Sequence, residues 1–265
     1  MQYIKLKHWL IATAGTLLCC ASCQKVVDLK LNNAAAQLVI EGDLNNIGGR
    51  QVVKISKSVP FTSTNIFPAV SSALVSLSDD GGKIYNFTED TLGTYASSLK
   101  GLPGKTYTLT VQVNGKIYTA QSTMPQPIKL DSISSRQNQF NKKKRSITAH
   151  YADPVSIPNQ YRFVMYVNGM EVNNIFANDD NFIDGQYVHE DLFQNATDIL
   201  PGDKVTVEMQ CIDPAIFTYW FSLEQQQSNN PGGGTAPSNP PSNFNNNALG
   251  YFSAHTSERK SIVVK

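Results

Sequence analysis

A short acidic segment carries the residue types that best fit metal chemistry. Asp179, Asp180, Asn181 and Asp184 place three carboxylates and one amide within six residues. Hard cations such as calcium are held by several carboxylate and carbonyl oxygens on a bent loop, so these four residues form a candidate calcium site. The spacing is not that of an EF-hand, because Asp184 stands where that loop requires glycine. The simpler interpretation, in which Asp, Asn and Gly only turn a loop, is favoured.

Cys23 is the second residue with a distinct chemistry, because its thiol could carry a lipid. Residues 1–22 have a basic start, an apolar centre and small residues at the end. This pattern is typical of a signal peptide, and the apolar stretch is too short to span a bilayer stably. The three residues before the cysteine, Cys20, Ala21 and Ser22, resemble a bacterial lipobox, which predicts cleavage there and acylation of Cys23. An ordinary secretory signal is the alternative.

The sequence contains no familiar catalytic motif. It has no GxSxG elbow, no HExxH, no phosphate-binding glycine loop followed by lysine and no paired CxxC. Three histidines follow the signal peptide, and His150, His189 and His255 each lie in a different strand-like run. His189 precedes Glu190 and Asp191, but adjacent residues on a strand point to opposite faces, so a surface role is favoured over a ligand role. The prediction is therefore a protein that is not an enzyme and has no catalytic residues.

Charge and cysteine content narrow the range of partners. The chain has 22 Lys and Arg against 21 Asp and Glu, which gives no global attraction for nucleic acid or an anionic membrane. The one basic cluster, residues 142–145, is expected to be an exposed hairpin tip, with contact to acidic polysaccharide or lipid headgroups as the weaker alternative. Cys211 lies in an apolar run, where a buried, inert thiol is expected.

Period-2 alternation dominates the chain and predicts a mostly β protein. Residues 106–113 alternate apolar with polar side chains, and Asn114 and Gly115 then supply the two positive-φ residues of a tight hairpin turn. Asn168 and Gly169 mark a second hairpin of the same kind. About seven strands fall between residues 36 and 123, the scale of one sandwich domain.

Two prolines divide the β region into two predicted domains. Pro125 and Pro127 cannot donate to a sheet and bias their predecessors toward extended conformations. The expected organisation is a tether over residues 23–35, an N-terminal β-sandwich over 36–124 and a C-terminal β-rich domain over 128–265. Both domains are predicted to be immunoglobulin-like or fibronectin-like β-sandwiches.

One helix and one long loop are predicted inside the second domain. Asp213 and Pro214 suit an N-cap and a first helical position, so a helix is expected over 214–227. Its stripe of Ile216, Trp220 and Leu223 is predicted to pack on the sheet. Residues 228–247 contain seven Asn, four Pro, three Gly and three Ser. Such a composition buries little apolar surface, which predicts a flexible loop.

Three stretches of the chain carry a family resemblance. They are GTYASSLKGLPGKTYTLTVQVNGKIYTAQSTMP, DDNFIDGQ and PPSNFNNNALGYFSAHTSERKSIVV. The chain resembles the Bacteroidota outer-membrane lipoprotein family known as domain of unknown function 4249, over nearly all of its length after the signal peptide. The resemblance implies two β-rich domains and a lipoprotein often encoded beside a TonB-dependent outer-membrane receptor. It implies no reaction and no catalytic residues.

The expected function follows from the anchor and the resemblance. We expect an outer-membrane lipoprotein that acts as a non-catalytic binding or accessory component of a TonB-dependent nutrient-import system. Its expected partners are the membrane, through the lipid on Cys23, and a TonB-dependent receptor, and calcium is the one candidate cofactor. The membrane face stays open, because Gln24 and Lys25 fit a surface-export signal but Val26 and Val27 replace its acidic residues. The alternative is a structural or adhesive cell-surface module, and an enzyme, such as a hydrolase using Asp and Glu residues that the sequence cannot pair, comes third.

Overall fold

A computed structural model describes residues 35–60, 63–227 and 238–265, which contain fifteen strands and one helix. The strands are Leu38–Asn45 (β1), Arg50–Lys57 (β2), Leu74–Asp79 (β3), Ile84–Thr91 (β4), Thr94–Ser98 (β5), Thr106–Val113 (β6), Lys116–Thr123 (β7), Leu130–Gln137 (β8), Arg145–Ala152 (β9), Gln160–Val167 (β10), Met170–Glu171 (β11), Phe176–Asp179 (β12), Tyr187–Leu192 (β13), Lys204–Ile212 (β14) and Leu249–Val263 (β15). The helix α1 is Pro214–Gln227. The mostly β, sandwich-like fold class is confirmed.

The strands form one long hydrogen-bonded path and one small sheet. The path runs β11-β10-β14-β15-β1-β2-β5-β4-β3-β6-β7, with β12 pairing beside β10, and the small sheet has the order β13-β9-β8. Strand β4 bends the path, because its residues up to Phe87 pair with β3 and those from Thr88 onward pair with β5. The two halves of the bent sheet therefore face each other across a core.

Two large hydrophobic cores lie inside this arrangement, and a smaller cluster under α1 contains Ile212, Ile216, Tyr219 and Tyr251. The first contains side chains from β1 to β7, with Leu109 and Val111 of β6 fully buried at its centre. The second lies between the small sheet and strands β10, β14 and β15, where Tyr151 packs 4.9 Å from Tyr161 between ring centroids. Cys211 is buried in this second core, as expected from its apolar surroundings.

Strand β15 contributes to both cores, which the predicted domain boundaries did not allow. It pairs in parallel with β1 and antiparallel with β14, so it lies between strands of the two predicted domains. Phe252 and Ala254 pack into the first core, whereas Val264, just after the strand, packs into the second. The assignment of all of residues 128–265 to a separate C-terminal domain is therefore wrong for residues 244–254, because alternation alone cannot say which core a strand will join.

The predicted turns and helix agree with the structure. Asn114 and Gly115 have φ of 50° and 74° between β6 and β7, and the Asn168 turn is of the same kind. Helix α1 begins where expected, because the Asp213 carboxylate accepts a hydrogen bond from the Ile216 N–H at 3.0 Å. Its buried residues are Ile216 and Tyr219, and Trp220 of the predicted stripe is only half-buried. In the ranges that the structure describes, no helix is long and apolar enough to cross a membrane.

The second half of the predicted flexible loop packs on the protein. Residues 228–237 lie outside the described residues, but in 238–247 the Phe244 side chain is only 7% exposed and sits in the first core. Asn245 exchanges hydrogen bonds with Thr119 of β7, and the Asn246 amide donates to the Ile117 carbonyl at 2.7 Å. The flexibility prediction is wrong here, because asparagine side chains pair with the open edge of β7 and lower the exposure of its backbone groups.

Gly250 makes the parallel pairing of β1 and β15 possible, because a larger residue would collide with β1 there. Its φ is +91°, and a Cβ at this position would lie 2.0 Å from the Ile40 carbonyl oxygen. Gly250→Ala should therefore lower the free energy of unfolding by about 3 kcal/mol or more, measured by chemical denaturation.

Gly202→Ala is the matched control, because Gly202 has a φ of +96° with nothing within 4 Å of its Cβ position. Backbone strain alone should cost about 1–2 kcal/mol there. Equal losses in the two variants would contradict a role for close strand approach.

Candidate functional site

The structure gathers three carboxylates from two separate segments. Ligand atoms of Asp153, Asp180 and Asp184 all lie within 4.8 Å of one another. Asp180 and Asp184 belong to the predicted calcium segment, whereas Asp153 follows β9 and was not predicted. Nothing in the local sequence marks Asp153, because it reaches the cluster only through the folding of β9 beside β13.

The other two predicted ligands lie apart from this cluster. Asp179 accepts hydrogen bonds from the Asn181 backbone N–H at 3.3 Å and from the Asn181 side-chain amide at 2.5 Å. The two side chains thus satisfy each other in a local turn. Of the four predicted ligands, Asp180 and Asp184 lie in the three-carboxylate cluster, to which Asp153 is added, and the calcium site itself stays a prediction.

Each carboxylate of the cluster already accepts hydrogen bonds from the protein. The Tyr161 hydroxyl and the Gly185 N–H donate to Asp153. The Asn159 N–H donates to Asp180 at 2.8 Å, and the Ser156 N–H donates to Asp184 at 2.6 Å. These bonds tie the β9–β10 loop to the β12–β13 loop and favour the turn-forming role. Calcium binding stays a prediction that the structure does not test.

Asp153 should matter for stability whether or not calcium binds. Asp153 is only 5% exposed. Asp153→Ala would leave the Tyr161 hydroxyl and the Gly185 N–H without their acceptor. The expected loss is about 2–4 kcal/mol in the free energy of unfolding. Asp179→Ala is the control and should cost less than about 1 kcal/mol, since Asp179 bonds only within its own turn.

Thermal melting of the wild-type chain separates the two interpretations of the cluster, a calcium site or a turn. If the carboxylates only hold loops together, the melting temperature should be equal in millimolar calcium and in chelator. A rise of several degrees with calcium, lost in Asp184→Asn, would instead support the cation site.

A second site lies on the outer face of the long sheet, where α1 crosses it. We call it the sheet-face groove, a cavity of about 360 Å³. Side chains from four strands and the helix line it, among them Asp43, Arg162, Glu208, Gln210, Trp220, Tyr251, His255 and Arg259. Strand alternation places them together, because Phe252 and Ala254 of β15 point into a core while their odd-numbered neighbours point the other way.

An arginine stacked on a tryptophan lies in the wall of the groove. The Arg162 guanidinium lies 3.7 Å from the Trp220 ring centroid, which is a cation–π contact. Its Nη1 also donates to Gln210 Oε1 at 3.0 Å. Both contacts fix the orientation of the guanidinium before any ligand arrives.

A buried carboxylate lies on the floor of the groove. Glu208 is 5% exposed and accepts from Gln210 at 2.9 Å, from Ser257 at 2.7 Å and from Arg259 at 2.8 Å. Burial alone would raise the pKa of this carboxyl, but these donors outweigh the burial and lower the pKa. Glu208 is therefore ionised at neutral pH and held in one position.

A histidine and a tyrosine beside Asp43 are kept neutral. His255 is 3% exposed, and burial lowers its pKa more than the nearby Asp43 carboxylate raises it. Burial also raises the pKa of Tyr251, whose hydroxyl donates to Asp43 Oδ2 at 3.0 Å. Both side chains therefore offer polar but uncharged surface at neutral pH.

The groove continues across β1 into a second cavity of about 400 Å³. The two cavities share Asp43 and Tyr251, and the second adds Glu41, Arg50 and Lys54. Burial raises the pKa of Glu41. Charges of both signs thus line one continuous surface. Sequence reasoning missed it, although Glu208 inside the apolar run VTVEMQCI was a signal that this strand has one polar face.

Two of the three histidines discussed above, although in separate strands, are in direct contact. His150 of β9 and His189 of β13 are directly paired across the small sheet, with their Nδ1 atoms 2.6 Å apart. His189 is on the exposed face, as predicted, and burial lowers the pKa of His150, with a smaller contribution from His189. His255 lies apart in the sheet-face groove.

Comparison with known proteins gives the family. The sequence profile described as "Domain of unknown function (DUF4249)" matches residues 24–261. The chain belongs to this family. A search of curated proteins found no match.

Among solved structures, the chain matches a two fibronectin type-III domain segment from chicken tenascin. The match is 14% identical in sequence, with 67% of this chain and 91% of that chain covered, at a TM-score of 0.22.

Proposed function

We propose that this DUF4249 chain is a non-catalytic binding or accessory lipoprotein of the outer membrane, and that the sheet-face groove is its binding site. One observation carries the proposal: the groove holds charged and aromatic side chains that other residues already fix in place. Arg162 is stacked on Trp220, and Glu208 is held by three donors. A preorganised site loses little conformational entropy when it binds, which favours recognition.

The rigidity of the sheet supports binding rather than chemistry. Four strands position the groove, and its carboxylate Glu208 is already used by internal hydrogen bonds. His255 is too buried to exchange protons readily with a substrate. A general base has to reach the proton that it abstracts, so these two groups are poor candidates for that role. A surface with both signs of charge and aromatic faces suits a polar ligand or a protein partner.

The anchor and the importer are the second part of the proposal. The family match begins at residue 24, directly after the cysteine that we predict to be acylated. Cys23 itself lies outside the described residues. An acyl chain there would hold the domain at the membrane, and a TonB-dependent receptor is the partner that the resemblance implies. A structural or adhesive module remains the competing interpretation, and self-association of the soluble domain would favour it.

The groove is tested by comparing what co-purifies with variants of the native protein. Detergent-solubilised outer membrane should yield an importer component with the wild-type chain, and Arg162→Met should reduce its recovery about tenfold, a loss of about 1.4 kcal/mol. Methionine keeps the apolar packing of the arginine stem while removing the charge.

Arg136→Met is the matched control, because Arg136 is an exposed arginine whose partner is Asp191 on the small sheet. It should leave recovery unchanged. Equal recovery with both variants, at equal melting temperatures, would remove the groove from the proposal.

Lipidation is tested separately with a fatty-acid analogue. Cys23→Ala removes the predicted acceptor thiol, so labelling should disappear and the protein should become soluble or stay as an uncleaved precursor. Cys211→Ala is the control, since the Cys211 thiol is buried in the second core and should not affect labelling. Undiminished labelling of Cys23→Ala would contradict the anchor.

A further inference from the structure

Two imidazoles face each other on the outer face of the small sheet. His150 and His189 are cross-strand partners, and their Nδ1 atoms are 2.6 Å apart with the rings nearly perpendicular, at 75°. Tyr151 and Val188, the sequence neighbours of the two histidines, point into the second core. Strand alternation therefore places both histidine rings on the opposite side of the small sheet. The pair is therefore fixed by two paired strands but open to solvent.

Neighbouring side chains orient both rings through contacts that leave Nδ1 free of other partners. The Nε2 atom of His150 lies 2.7 Å from the Ser134 hydroxyl of β8. The Tyr187 ring packs edge-on against His189 at 5.3 Å between centroids. Within the described residues, the Nδ1 atoms have each other as their hydrogen-bond partner. An oxygen that binds the second ring nitrogen is the usual support of a metal-binding histidine.

We propose that His150 and His189 form a binding site for a divalent transition-metal ion, with Cu²⁺ as the preferred occupant. Both ligand atoms are imidazole nitrogens, which suit Cu²⁺, Ni²⁺ and Zn²⁺ rather than Ca²⁺ or Mg²⁺. Water would complete the coordination, since the pair faces solvent. This site is separate from the sheet-face groove and does not depend on the function proposed for that groove.

Two nitrogens in neighbouring positions of a tetragonal site, each about 2.0 Å from the ion, lie about 2.8 Å apart, and in a tetrahedral site they lie about 3.3 Å apart. The observed 2.6 Å is a hydrogen-bond distance between the two rings, so the nitrogens have to separate before an ion can bind. A small swing of the exposed His189 ring would do this and would turn its lone pair toward the ion. Cu²⁺ is the preferred occupant because it binds such nitrogen ligands most strongly in the usual order of stability.

Proton balance is simple at this site. Two neutral rings share one hydrogen between their Nδ1 atoms, so one ring donates and the other accepts. When an ion replaces that hydrogen, the proton moves through solvent to the other nitrogen of the ring that donated it. That ring is His189 if the Ser134 hydroxyl accepts a hydrogen bond from His150 Nε2. Both imidazoles then stay neutral and both Nδ1 lone pairs bind the ion.

Titration with Cu²⁺ in the presence of glycine as a competing chelator tests the site on the purified full chain. The wild-type chain should bind one ion more tightly than His189→Ala, whose affinity should fall about tenfold or more. Electron paramagnetic resonance of Cu²⁺ added without glycine should show couplings to two imidazole nitrogens in the wild type and to fewer in His189→Ala, where His150 is the remaining ligand of the pair. Ser134→Ala should weaken Cu²⁺ binding, because it removes the hydroxyl that contacts His150 Nε2. Ni²⁺ and Zn²⁺ should bind more weakly, in line with the usual order of stability.

One control variant keeps the result interpretable. Tyr187→Phe preserves the ring that packs on His189 and should bind Cu²⁺ like the wild type. The His189 side chain is exposed, so His189→Ala should melt within a few degrees of the wild type. Equal Cu²⁺ affinity and equal nitrogen couplings in wild type and His189→Ala would overturn the proposal.

Discussion

Parallel hydrogen bonding between β1 and β15 is the interaction on which the rest of the structure depends. It joins residues 39–45 to residues 249–255, and its register sets Ile40 against Gly250 and Asn45 against His255. The sheet-face groove exists only in this register, because it brings Asp43 of β1 beside Tyr251 and His255 of β15. The pairing requires a glycine where the two backbones approach most closely, and a side chain there would meet the Ile40 carbonyl.

This pairing also links the two cores in folding. Phe244, Phe252 and Ala254 complete the first core, although they follow β1 by about two hundred residues. The first sandwich therefore cannot reach full packing until the end of the chain has folded against it. Contacts of such long sequence separation have a high cost in chain entropy and slow folding. The N-terminal segment 36–124 therefore shares its core with the end of the chain, although it contains seven consecutive strands.

The sequence predicted local structure well and long-range placement poorly, for physical reasons. Alternation and turn chemistry are local, so the hairpin at Asn114 and the start of α1 after Asp213 were predictable. Composition predicted a flexible loop through residues 238–247, because it counts lost chain entropy but not the hydrogen bonds that Asn245 makes with an edge strand. Asp153 and the groove were missed for a related reason: alternation tells which residues share a face, and only strand order tells which faces adjoin.

The electrostatics of the groove explain why binding is the function that its geometry supports best. Proton transfer needs a group that can change charge near neutral pH, within reach of a ligand. Internal donors hold Glu208 in its ionised form, and burial holds His255 in its neutral form. The Arg162 guanidinium is held against the Trp220 ring by a cation–π contact. The groove thus combines an ionised Glu208 with a neutral His255 at neutral pH, which supports the proposal that it recognises a ligand by matching charge rather than by exchanging protons.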